Sequence, residues 1–177
     1  MAEIKSTMDI IMEKAKKFSV TEEEKQGFRR QDLEGKIKGL VQKTIDGILD
    51  SERFRGELAA LQAKDKDLVY PILKEELVAR LEVEANSEAL LKMLKNTAGP
   101  AWESVRKILA DFESKARRQK DSHLKILLEH LRKGGISGSS VLPNLDADSE
   151  WLRVRSELRM QIQERIRDQL ESLQTSL

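Results

Sequence analysis

Apolar residues recur along this chain at steps of three and four, with no sustained alternation at steps of two. That spacing puts them on one side of an α-helix and leaves no run that reads as a strand. Ile4, Met8, Ile11, Ala15 and Phe18 form the first such stripe, closed by Lys14, Lys16 and Lys17 at the end where cations complement the helix dipole. Thr21-x-x-Glu24 then has the spacing of a capping box and predicts a second helix running to about Asp50, with Ile37, Leu40, Val41, Thr44, Ile45 and Ile48 inward. A short helix follows over Ser51–Ala63, then a charged joint at Lys64–Asp67. Pro71 suits the first turn of the next helix, in which Leu73, Leu77, Leu81 and Ala85 repeat every fourth position. Asn86-Ser87 either interrupts that helix or is absorbed by it, and the helix ends near Asn96, before Gly99-Pro100.

Residues 101–133 carry the clearest pattern. Trp102, Val105, Leu109, Phe112 and Ala116 share a face, a polar run follows from Arg117 to His123, and Leu124, Leu127, Leu128 and Leu131 resume the stripe before Gly134-Gly135 stops it. The polar run reads equally as a hinge or as continuous helix. Residues 134–149, rich in Gly and Ser and holding Pro143, form a linker. Asp148 or Ser149 caps a final helix whose stripe is Val154, Leu158, Ile162, Ile166, Leu170, Leu173 and Leu177, with Trp151 at its start. The predicted fold is all-α: a bundle of about five to six amphipathic helices, several of them long, with no sheet. The expected organisation is a bundle over 1–133, a linker over 134–149, and a C-terminal helix over 150–177 docked on the bundle or on a second copy.

Four glycines complicate the second helix. Gly27, Gly35, Gly39 and Gly47 are separated by multiples of four, and each costs about 1 kcal/mol against Ala within a helix. Either the backbone is pressed against another helix along this row, as small residues permit, or the helix is simply weak and bent.

Composition narrows the function classes. Charged residues make up 36% of the chain and hydrophobic ones 39%, too apolar for a disordered tail. No apolar run is long enough to span a bilayer, and acids at Glu3, Asp9 and Glu13 argue against a secretory leader and against an amphipathic membrane anchor at the start. A cytoplasmic protein is expected. With no cysteine, disulfides and thiolate chemistry are excluded. The net charge is +1, and residues 1–50 carry ten charges of each sign, so no general polyanion-binding surface is implied.

Candidate chemistry is sparse. Di-iron bundles require Glu-x-x-His, but Lys120 and Leu127 precede the only histidines, His123 and His130, by three. Those two are seven apart, not the four of a chelating pair. Gly134 to Ser140 resembles a phosphate cradle only superficially, since it follows a helix and lacks the lysine. Adjacent carboxylates such as Glu75-Glu76 point about 100° apart on a helix and do not share a site. No catalytic, metal or cofactor residue is expected. The basic stretch 115–133, with Arg117, Arg118 and Lys120 foremost, is a phosphate-contact candidate, diluted by acids and without an aromatic residue for base stacking.

The expected function is a non-enzymatic helical scaffold, adaptor or assembly protein acting through helix–helix contacts with a partner or with itself, most simply as a twofold dimer. The contact candidates are Gly27, Gly35, Gly39, Gly47, Trp151, Leu158, Ile162 and Ile166. The alternative is a nucleic-acid-associated helical protein using the basic stretch.

Overall fold

The computed structural model describes residue 8, residues 21–84 and residues 86–171. The stripe from Ile4 to Phe18 (Met8 apart), Ala85, Leu173 and Leu177 lie outside them. Five α-helices follow in order: α1 (Glu22–Ile45), α2 (Ser51–Ala79), α3 (Glu88–Ala98), α4 (Trp102–Lys133) and α5 (Ser149–Glu171). Short 3-10 turns occupy Gly99–Ala101 and Leu145–Ala147. No strand occurs among the described residues, and none of their helices is long and apolar enough to cross a membrane. Contacts divide the chain into two units, Met1–Lys36 and Ile37–Leu177, so the boundary falls within α1 and not in the 134–149 linker.

In the first unit the capping box forms as its sequence requires. The Thr21 amide donates to Glu24 Oε2 at 2.8 Å and the Glu24 amide to Thr21 Oγ1 at 3.2 Å. Ion pairs one turn apart, Lys25–Glu22, Arg30–Glu34 and Lys36–Asp32, lace the surface of α1.

Within the second unit, α1 ends earlier than its apolar pattern suggests. Gly47 takes a left-handed φ of 73°. Its amide bonds the Thr44 carbonyl, and the Ile48 amide bonds the Lys43 carbonyl. This is a Schellman stop, which a residue without Cβ adopts readily. Gly47 therefore terminates the helix and does not belong to a packing row, and Ile48 lies beyond it, exposed. Asp50 caps α2, accepting from the amides of Glu52 and Arg53.

The Lys64–Asp67 joint is real but narrow. Only Asp65 leaves helical geometry (φ −142°, ψ 50°), and α2 resumes at once. Pro71 consequently sits inside α2 and not in a first turn. The bond it withholds from the Asp67 carbonyl is lost on an exposed stretch, where water replaces it. The helix expected to run to Asn96 is interrupted. α2 stops at Ala79, residues 80–84 and 86–87 are non-helical, and Ser87 restarts the chain by accepting from the Leu90 amide at 3.2 Å. Asn86 closes the segment on itself, accepting from the Glu82 amide and donating to the Glu82 carbonyl.

α4 is continuous through the polar run 117–123. The same double hydrogen bond seen at Gly47 ends it at Gly135 (φ 82°), where the Ile136 amide reaches the Leu131 carbonyl. Asp148 then caps α5, accepting from the Trp151 amide at 2.6 Å.

α5 packs against both α4 and α2. It runs antiparallel to α4, as Lys115 meets Gln161 and His123 meets Trp151. It is antiparallel to α2 as well. Arg167 makes a two-point bond to Glu75 at 2.9 and 3.1 Å, while Arg159 and Gln163 donate to the Ala79 carbonyl. The last carbonyl of α2, which has no partner within its own helix, is thereby satisfied from α5. Arg80, just past α2, pairs with Glu76 of that helix and reaches Gln42 and the Lys38 carbonyl of α1, tying the two helices together. The core holds Ile37, Leu40, Val41, Leu73, Leu77, Leu81, Leu94, Val105, Phe112 and, from α5, Trp151, Leu158, Ile162, Ile166 and Leu170, all buried.

Candidate functional site

The α5 residues expected to meet a partner are occupied within the chain. Trp151, Leu158, Ile162 and Ile166 are buried, as is Leu170, so the stripe is part of this chain's own core and cannot receive a second copy while α5 stays docked. The sequence pattern established that the stripe needed cover. It carried no information on which helix supplied it.

A Cβ built on Gly27, Gly35 or Gly39 would meet nothing among the described residues within 4 Å. By helical periodicity, Gly35, Gly39 and Phe28 lie on a face roughly opposite the buried residues Leu33, Ile37, Leu40, Val41 and Thr44. Every residue from Thr21 to Asp32 is exposed, and Phe28 is 63% exposed. Gly27 and Gly35 are thus exposed and Gly39 is half-buried.

The three phosphate-contact candidates do not converge. Arg117 pairs with Glu113 at 3.3 Å, Arg118 Nε bonds the Ser114 carbonyl, and Lys120 is held by Glu84 at 2.9 Å. Further along α4, Lys125, Arg132 and Lys133 have no side-chain hydrogen bond or ion pair among the described residues.

The histidines have separate surroundings. His123 packs on Trp151 with ring centroids 5.8 Å apart, its Nδ1 3.9 Å from Asp148 Oδ1. His130 is exposed. Among the described residues no group of three or more His, Asp or Glu is arranged to hold a metal ion.

An open groove of about 470 Å³ lies between the 80–87 segment, α3 and α4, floored by Val83, Leu91, Trp102 and Leu109. The charges at its rim are neutralised by neighbours: Glu84 by Lys120, Glu113 by Arg117, and Arg106 by Glu103. Such a surface can accept an apolar group but offers no poised acid–base pair. A smaller cavity of about 90 Å³ sits beside the Arg167–Glu75 pair. That pair raises the pKa of the Arg167 guanidinium, chiefly through the Glu75 hydrogen bonds, and links helices without presenting a reactive group.

Comparison with protein-family models, with characterised proteins and with solved structures gave no match.

Proposed function

We propose that the chain is a non-enzymatic helical scaffold or assembly protein of the cytoplasm, acting through helix–helix contact, and that α1 is its contact surface. The observation that carries this reading is the outward face of α1, where a Cβ on the exposed Gly35 or the half-buried Gly39 meets nothing among the described residues and the exposed Phe28 lies on the same side about two turns before Gly35. Gly within an exposed helix lowers its stability by about 1 kcal/mol relative to Ala. A helix that bears this cost on its outer face gains from it when a second helix approaches to backbone distance and covers the adjacent aromatic ring. A twofold dimer is the simplest arrangement, since two copies of the same face then cover each other. The α5 stripe, being buried, takes no part.

The test is the oligomeric state in solution. Sedimentation equilibrium at tens of micromolar is expected to show a dimer. Gly35→Leu and Gly39→Leu together are expected to convert it to a folded monomer, because their side chains fill the approach path while a Cβ at either position meets nothing among the described residues. A wild-type protein that sediments as a monomer at every concentration removes self-association. A dimer indifferent to both substitutions removes α1 as the contact.

A further inference from the structure

The far end of α4 carries a second surface, of different chemistry. Because α5 begins beside His123, the stretch 124–133 extends past the start of α5, and the 134–148 loop returns from its tip. Helical periodicity puts Lys125, Ile126, Glu129, Arg132 and Lys133 on one outward face, away from the half-buried Leu124, Leu127, Leu128 and Leu131. Ile126 is 51% exposed in the middle of these cations; Ile136, just past the helix end, is 53% exposed, and Leu142 in the loop is 89% exposed. Between residues 122 and 145 the only acid is Glu129. The three cations make no side-chain hydrogen bond or ion pair among the described residues, unlike Arg117, Arg118 and Lys120.

We propose that this α4 tip and its loop dock on an anionic lipid surface. Charge complementarity sets the sign of the partner: unpaired cations beside uncovered aliphatic side chains match a surface that is negative at its face and apolar just beneath it. A second copy is disfavoured, since the same face would set Lys125 and Arg132 against their own counterparts. Nucleic acid would leave the three aliphatic side chains idle, and no Phe, Tyr or Trp lies between 122 and 145 to stack on a base. A shaped protein partner needs relief to fit. Gly134, Gly135, Ser137, Gly138, Ser139 and Ser140 give the loop little, whereas a fluid bilayer requires none.

The experiment is co-sedimentation of the full chain with vesicles of phosphatidylcholine, with or without phosphatidylglycerol. Binding is expected only with phosphatidylglycerol and is expected to weaken as salt rises. Arg132→Gln with Lys133→Gln is expected to reduce partitioning about tenfold or more. Leu142→Asp with Ile136→Asp is expected to reduce it several-fold, with the helical circular dichroism of each variant unchanged. In a separate Leu142→Trp protein, the emission of the new indole is expected to shift to the blue on vesicles. Absence of binding at low salt overturns the proposal, as does equal binding to pure phosphatidylcholine. Loss on removing the cations alone, with the aliphatic variants binding normally, also overturns it and indicates a general polyanion site such as one for nucleic acid. These outcomes are independent of whether the protein dimerises through α1.

Discussion

Replacing Gly35 and Gly39 together with alanine tests whether the α1 glycine row is packed or open. Both positions are interior to α1, and a Cβ at either meets nothing among the described residues within 4 Å, so the substitution adds neither a clash nor a buried contact with them. What remains is the backbone term. Alanine restricts the unfolded chain and is favoured in the helix by about 1 kcal/mol per site. The two sites share no contact through their side chains, so the effects add to about 2 kcal/mol. α1 is coupled to the rest of the second unit through Ile37, Leu40, Val41 and Thr44, all buried, so the gain enters the cooperative transition. In a chain of this size it raises the melting temperature by about 4–8 °C. Thermal and urea unfolding followed by far-ultraviolet circular dichroism at low micromolar protein provides the measurement. Alanine places a methyl group where the second backbone is proposed to approach, so the same double variant is expected to dimerise more weakly than the wild type and more strongly than the leucine variant. A lower melting temperature, or an unchanged one, refutes the reasoning: it means the backbone at these positions already rests against something that a methyl group displaces.

Three further outcomes are expected. Ile166→Ala removes a fully buried side chain from the α5 core and is expected to cost about 2–5 kcal/mol in urea unfolding, whereas the exposed Met160→Ala changes stability by less than about 0.5 kcal/mol. The Arg53 amide, and secondarily that of Glu52, hold the Asp50 carboxyl below its ordinary pKa. Its contribution is thus present above the unfolded carboxylate range and is lost as pH falls through the lowered folded value; Asp50→Asn, which still accepts both bonds, is expected to flatten that acid limb of the stability–pH curve. Ser87→Ala deletes the cap that restarts the chain at α3 and is expected to cost about 1 kcal/mol, recovered by Ser87→Asp.

The sequence by itself determined the helices and most of their ends. Steps of three and four allow no other regular structure to bury the apolar residues on one side, and Thr21-x-x-Glu24, Asp148 and Gly134-Gly135 carry in their own side chains, or in the lack of one, the groups that cap a helix. These are local effects, settled within one turn. Tertiary structure decided what each stripe lies against. The α5 stripe from Trp151 to Leu170 needed cover under any arrangement, but its burial on α2 and α4 depends on contacts such as Arg167 with Glu75, 92 residues apart, which no local pattern contains. The glycines show the same division. Spacing by multiples of four made Gly27, Gly35, Gly39 and Gly47 look alike, yet Gly47 takes a left-handed φ and ends the helix while Gly35 and Gly39 continue it. A glycine is compatible with either conformation, so its role is fixed by where the following chain must go, and that is a property of the packed molecule.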